Sequence, residues 1–338
     1  MKEKDGKLKG YSVILSNVGS VSDRYVTNGY GRPYSIDELF QRVKQIPQVT
    51  GVELVGTWHI AEGNVQQIKQ YLNDYDLSLV SIIPDHFGHM KWKFGSFSAK
   101  DPEIRKLAIS YTKEMMDVAK ELDCDLLSLW PGQDGYDYVF QNDYIVERDW
   151  IAEGLKEVCA YRDDVNISLE YKIKEPRTHS YISTAANTLL ICQEVSKDNL
   201  GVTIDFGHSL NAYETPAEAV ALLKRHGNKL FHVHMNDNYR HWDDDMIVGS
   251  VHTIETLEFF YWLKRTNYTG WLSIDQYPYR EDGLDAVREG VNMMEAYYQL
   301  AQSLKDDEIQ ALIDRNNAAE TSAFIRKLFL PRYESVYK

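Results

Sequence analysis

Val202-Thr203-Ile204-Asp205-Phe206-Gly207-His208 decides the fold. A run of strand-forming residues ends on a carboxylate, and Gly207 then permits a sharp turn off the strand. The arrangement recurs at Ser168-Leu169-Glu170-Tyr171-Lys172, Phe231-His232-Val233-His234 and Leu272-Ser273-Ile274-Asp275. Each run carries an acid or an imidazole at or just past its carboxyl end. Glu170, Asp205, His234 and Asp275 therefore fall where a (β/α) barrel assembles its active site.

Outward from these four runs the chain alternates short β-rich segments with longer helical patterns. Strands are expected at 11–16, 51–55, 77–83, 125–130, 166–171, 201–205, 229–234 and 271–275. Pro84 stops the third, because proline cannot donate to a sheet ladder. Helices are expected at 36–46, 62–73, 101–122, 145–162, 183–195, 215–226, 253–265 and 283–300. Asp101-Pro102 opens the third of these, proline being tolerated at the first helical position. Eight β–α units in strict alternation predict a parallel sheet closed into a (β/α)8 TIM barrel. A doubly wound open sheet is the alternative, and its nucleotide-binding form lacks a GxGxxG after the first strand. Residues 1–303 read as one barrel. Residues 304–338 read as a charged, C-terminal helical extension that is not an independent domain and packs outside the barrel or against another subunit.

Composition bounds the partners. The chain has 338 residues, 43% hydrophobic and 26% charged, with a formal net charge of −14. That balance disfavours nucleic acid and anionic membranes, which need a basic face, and suits a small neutral substrate with a divalent cation. No apolar run is long enough to span a bilayer. The charged start, Met1-Lys2-Glu3-Lys4-Asp5, shows no signal peptide, so a cytoplasmic location is expected. Cys124, Cys159 and Cys192 lack CxxC spacing and read as buried reduced thiols.

Parity along the strands tests the ligand group. Ser168, Glu170 and Lys172 share one face of their strand; so do His232, His234 and Asn236, and Ser273, Asp275 and Tyr277. Three carboxylates and one imidazole suit Mn²⁺, Mg²⁺ or Co²⁺ better than a thiolate-loving metal. Each acid taken singly could instead cap a helix or pair with a cation. A second group follows the first: His208 three residues after Asp205, and Asp243-Asp244-Asp245 shortly after His234. Adjacent carboxylates repel one another, and a cation between Asp243, Asp245 and His208 would relieve that; a solvated acidic loop is the alternative. Lys172 could polarise a substrate oxygen or pair with a ligand carboxylate. Trp130 offers either an aromatic wall for a sugar's C–H face or a core side chain. His232 reads as a core histidine. His59, His86, His89, His241 and His252 read as surface or packing residues, and Arg280 as a pocket rim or an ion-pair partner.

Glu170-Tyr171-Lys172, Asp205-Phe206-Gly207-His208, His234-Met235-Asn236-Asp237-Asn238 with Asp243-Asp244-Asp245, and Asp275 together resemble the xylose isomerase-like superfamily of TIM barrels. Within it they look most like the two-metal aldose–ketose isomerases of the L-rhamnose isomerase and xylose isomerase type. The resemblance implies one metal held by Glu170, Asp205, His234 and Asp275. It implies a second at His208, Asp243 and Asp245, with Asp205 or its neighbourhood. Mn²⁺ is the expected ion, with Mg²⁺, Co²⁺ and Zn²⁺ as alternatives. Lys172 would touch the substrate's O1, and the reaction would be a metal-assisted 1,2-hydride shift in an open-chain monosaccharide. A homo-oligomer is also implied. Two departures stand out: xylose isomerases usually place Asp where His234 stands, and the chain is shorter than a typical rhamnose isomerase.

Three competing readings share these strings. Ketose 3-epimerases of the same superfamily use one metal, on Glu170, Asp205, His234 and the strand-eight acid, with Arg240 placed to bind substrate. Endonuclease IV-like enzymes share DxxH and HxND but expect a DxH where Asp243-Asp244-Asp245 stands, and they must bind a phosphate backbone. A non-catalytic sugar-binding barrel is the last.

Overall fold

The computed structural model describes residues 7–22, 25–277 and 280–330. Eight parallel strands close into a barrel: β1 (Gly10–Ile14), β2 (Val49–Val55), β3 (Ser78–Ile83), β4 (Leu126–Leu129), β5 (Asn166–Glu170), β6 (Leu200–Asp205), β7 (Leu230–Met235) and β8 (Trp271–Ile274). Each strand pairs with its sequence neighbours and β1 closes on β8, with Ser12 opposite Ser273. Every strand expectation lands within two residues of an observed strand. Helices Ile36–Val43, Val65–Asp74, Pro102–Glu121, Val146–Tyr161, Ala185–Val195, Pro216–Arg225, Thr253–Arg265 and Gly283–Ser303 follow the strands in turn. Helices Asp306–Arg315 and Ala318–Phe329 complete the described chain and bury no residue fully.

Local chemistry fixes the helix starts. Ser35 and Glu38 form a reciprocal capping box at the first helix, which satisfies two otherwise orphaned donors. Asp101 caps Pro102–Glu121 through the amide of Glu103. The core lies between sheet and helices, where Val13, Leu54, Ile82, Leu127, Ile167, Val202, Val233 and Ile274 are wholly buried.

The opposite parity fills the barrel lumen, and there the residues are polar. Ser12, Glu53, Ser81, Ser128, Ser168, Thr203, His232 and Ser273 are all buried to 1% exposure or less. Thr203 Oγ1 donates to Ser168 Oγ at 2.7 Å and lies 3.2 Å from Ser128 Oγ. Barrel interiors are more often filled by branched aliphatic side chains. Here Ser128, Ser168 and Thr203 pair with one another and Ser81 donates to Glu53, while the Ser12 and Ser273 hydroxyls have no partner among the described residues, and these small side chains leave room at the next level up for larger ionisable groups.

Several short features went unread, among them the helix Gly56–His59 and the 3-10 turns Leu15–Val18 and Met90–Trp92. A two-residue antiparallel bridge joins Gly135–Tyr136 to His179–Ser180, and a short helix, Phe206–Asn211, follows β6 directly. No helix among the described residues is long and apolar enough to cross a membrane. Cys124, Cys159 and Cys192 are buried free thiols, as expected.

Candidate metal centre

Sheet register assembles the four strand-end residues. Asp205 lies opposite His234 across β6 and β7, and Ser273, two residues before Asp275, lies opposite His234 across β7 and β8. Glu170 ends β5 opposite Thr203. One ligand atom from each of Glu170, Asp205, His234 and Asp275 falls within 4.8 Å of the rest. His234 Nδ1 faces Glu170 Oε2 at 3.3 Å and Asp275 Oδ2 at 3.5 Å.

The donor set fits a divalent cation. His234 Nδ1 and Asp275 Oδ1 are buried without a hydrogen-bond partner, an expensive state for polar atoms unless something else binds them. Burial pushes the Asp205 carboxyl up to about 6, aided by Glu170 and opposed by His208. Burial also raises Asp275 well above the ordinary carboxylate range, although His234 opposes it. Glu170 is held below that range because His234 and His208 outweigh its burial. Converging carboxylates that cannot all ionise together are what a cation of charge two neutralises.

Asp205 carries two roles. Its Oδ1 accepts from the amide of His208 at 2.7 Å and so caps helix Phe206–Asn211, while Oδ2 accepts from Asn236 Nδ2 at 2.9 Å. The helix-cap alternative therefore holds for Asp205 alongside its place in the ligand group. Gly207 is required by close approach: a Cβ there would collide with the side chains of Asn236 and Asn238. Gly207 is thus needed for clearance rather than for a left-handed turn off the strand.

Beneath the centre lies a residue that strand-end reasoning missed. Glu53, on β2, is fully buried and touches His232 Nε2 at 2.9 Å and His234 Nε2 at 3.3 Å, and it also accepts from Ser81 Oγ. Burial would raise its pKa, but the two imidazoles hold it well below the ordinary range. Glu53 thus engages the far nitrogen of His234 and leaves Nδ1 turned toward Glu170 and Asp275, the arrangement by which an outer carboxylate orients a ligating histidine. A carboxylate inside the apolar run Gly51-Val52-Glu53-Leu54-Val55 was the available signal. His232, read as a core histidine, is buried and completes this inner group. Replacing Glu53 by Gln is expected to weaken divalent-cation affinity roughly 10–100-fold. Calorimetric titration with Mn²⁺ checks this, and unchanged affinity would remove Glu53 from the centre.

The remaining candidates cluster on one side. His208 Nδ1 lies 3.2 Å from Glu170 Oε1, and its Nε2 lies 3.2 Å from Asp243 Oδ2. Lys172 Nζ lies 2.7 Å from Asp243 Oδ2 and 2.9 Å from Glu175 Oε2. Burial opposes the charge on Lys172, but Asp243, Glu175 and Asp245 hold its pKa above the ordinary value, so it is an ammonium. Asp245 has φ of 47°, and its Oδ1 accepts from Asn236 Nδ2 at 3.3 Å. Among the described residues two groups of three or more bring ligand atoms within 4.8 Å, the four strand-end residues and Glu53–His232–His234. His208, Asp243 and Asp245 are not a third such group, and the Lys172 ammonium engages the Asp243 oxygen that faces His208.

Trp130 stands beside this cluster with Lys172 Nζ 5.0 Å from its ring centroid and the Phe87 ring 4.7 Å away, tilted by 41°. Arg240 points its guanidinium to Glu255 on helix Thr253–Arg265, at 3.6 Å. His86 is buried against Trp92, Phe97 and Tyr111, and His59 accepts from the Val55 amide; both are packing residues, as expected. His252 holds Asp237 at 2.8 Å, and Arg280 stacks over Tyr30.

A closed parallel barrel with an acid–imidazole group at its carboxyl mouth defines a TIM-barrel protein with a candidate metal centre. The chain matches the xylose isomerase-like TIM barrel family over residues 40–297 and belongs to that family. It is 27% identical over 262 residues to the xylose isomerase of Thermus thermophilus, covering 74% of this chain and 67% of that protein. Among solved structures, a D-tagatose 3-epimerase-like protein superposes with a TM-score of 0.67 at 22% identity, covering 87% of this chain and 98% of its own. D-allulose 3-epimerase from Methylomonas sp. superposes with a TM-score of 0.66 at 16% identity, covering 86% and 98%. These superpositions establish a shared fold.

Proposed function

We propose that the protein is a divalent-metal-dependent aldose–ketose isomerase acting on a monosaccharide unit. The observation that carries this is the convergence of Glu170, Asp205, His234 and Asp275 at the barrel mouth, with a charged lysine and an aromatic wall beside them. A cation held there, most simply Mn²⁺, would polarise a sugar's carbonyl and hydroxyl oxygens and favour movement of hydrogen between C1 and C2.

The chain's own residues supply the rest. Lys172 donates a hydrogen bond to O1 as that oxygen gains charge. Asp243, in contact with both Lys172 and His208, would accept the O2 hydroxyl proton transiently and return it to O1, the same two cations outweighing its burial and holding its carboxyl below the ordinary range so that it releases the proton readily. Trp130 and Phe87 cover the C–H face of the sugar and exclude water. A second cation would require Lys172 to leave Asp243, opening that carboxylate to His208 and Asp245. Sequence kinship to the Thermus xylose isomerase supports the isomerase reading.

One observation favours a second reading, a single-metal ketose 3-epimerase. With Asp243 paired to Lys172, the ligand group is complete with four residues and one ion. In that case Glu170 and Asp275 would exchange the C3 proton. Incubating the Mn²⁺-loaded protein with a panel of aldoses and ketoses tests both readings. Interconversion of an aldose with its ketose supports the first, and a C3-inverted ketose the second. Equal turnover after exhaustive chelation would overturn both.

A further inference from the structure

Asn236 follows β7, shares parity with His232 and His234, and is 1% exposed. Groups from four parts of the chain meet its amide. Its Oδ1 accepts from the Gly207 amide at 2.9 Å. Its Nδ2 lies 2.9 Å from Asp205 Oδ2, 3.0 Å from the Asp275 carbonyl oxygen and 3.3 Å from Asp245 Oδ1. An amide nitrogen carries two hydrogens. Three acceptors share them here, and the Asp245 carboxylate, the most distant, takes the weakest bond. The close approach is built in, because a Cβ at Gly207 would collide with the Asn236 side-chain oxygen.

Asp245 belongs to a closed loop. The Asp237 amide donates to the Met246 carbonyl at 3.0 Å and the Met246 amide to the Asp237 carbonyl at 2.8 Å, so residues 238–245 hang from a fixed neck. This loop carries Asp243, which meets Lys172 and His208. Asp245 holds φ of 47°, a left-handed backbone that persists at residues other than glycine where surrounding contacts over-determine it. Its carbonyl accepts from the Tyr277 amide at 3.1 Å. Among the described residues, Asn236 is the donor that reaches its carboxylate. One side chain therefore touches both a member of the ligand group and the loop that presents Asp243.

We propose that Asn236 is a positioning residue that links cation occupancy to the placement of Asp243. The inference rests on the metal-centre reading and adds a coupling to it. With a cation bound, the Asp205 carboxylate loses charge and becomes the poorer acceptor of the three. The Asn236 hydrogens then turn toward Asp245 Oδ1, and the shortened bond draws the loop in with Asp243 on it. Linkage is reciprocal, so a loop held in place raises cation affinity by the same factor.

The test follows amide hydrogen exchange over residues 238–246 of the full chain, metal-free and at saturating Mn²⁺. In the wild-type protein the cation is expected to slow exchange there about tenfold, within the ordinary range of coupling between sites. Asn236→Ala is expected to abolish that slowing and to weaken Mn²⁺ affinity roughly 10–100-fold, the usual effect of losing an outer partner of a metal ligand. Asp245→Ala cuts the same strut at its other end and spares Asp205 and Gly207, so it decides the matter should Asn236→Ala not fold. In calorimetric titration the two substitutions together should cost no more affinity than Asn236→Ala alone, since both break one connection. Slowing that survives either substitution, or fully additive costs, overturns the coupling. So does a wild-type loop whose exchange is unmoved by a cation that binds, and each of these results leaves the metal centre standing. A wild-type protein that binds no Mn²⁺ overturns the metal centre and the coupling together.

Discussion

Asp205→Asn is expected to leave a folded protein that no longer retains its cation. The two roles of Asp205 separate cleanly in this variant. Asn caps helices about as well as Asp, so the bond from the His208 amide to the side-chain oxygen survives and helix Phe206–Asn211 keeps its start. What disappears is a carboxylate at the centre of the ligand group. The loss of affinity should exceed the roughly 10–100-fold that removal of an outer partner costs, and turnover should fall with it. The wild-type protein supplies a pH control. Because the folded Asp205 carboxyl is raised to about 6, it is protonated below that value and the cation must displace the proton. Affinity is therefore expected to fall as pH drops through about 6, and the raised Asp275 and His234, which must also give up protons to the cation, extend that fall to higher pH. Mn²⁺ titration and thermal unfolding on both proteins check this. A variant that binds Mn²⁺ as tightly as wild type would remove Asp205 from the centre.

The second large effect is expected at Asp243. Asp243→Asn should reduce kcat by about 10²–10⁴-fold, the range for losing a positioned proton acceptor, while the fold persists. Removing one partner of a buried ion pair usually costs about 3–5 kcal/mol because the other charge is left alone. Here Lys172 keeps Glu175 at 2.9 Å, so the cost should fall below that range. A melting temperature lowered by several degrees with turnover nearly abolished is the expected pair of results. Full activity would dismiss Asp243 from the mechanism and, with it, any second metal at His208 and Asp245.

Most of the fold was legible because strand ends, helix caps and hydrophobic periodicity are local signals. Asp101-Pro102, Pro84 and the four strand-end ligands each announced a boundary without reference to distant residues. The ligand group was legible for a related reason: at a barrel mouth, strand ends from separate units are brought together by closure alone. Glu53 was not legible in the same way. Its importance depends on reaching across the lumen from β2 to His232 and His234 on β7, a contact set by barrel diameter and by the small hydroxyls below it. The relation of Lys172 to Asp243 is likewise a matter of side-chain reach between two loops. Sequence spacing put both near the site, but it could not show that the ammonium would engage the carboxylate otherwise free for a second ion. The aromatic pair Phe87–Trp130 joins loops after β3 and β4 and was visible only as a single tryptophan.

The central claim is that this centre moves hydrogen within a sugar as a hydride. The most direct test is to run the Mn²⁺-dependent reaction in D₂O and examine the product by NMR. An internal shift between C1 and C2 predicts an aldose–ketose product carrying no carbon-bound deuterium. Deuterium at the reacting carbon, or a C3-inverted ketose as product, would contradict it.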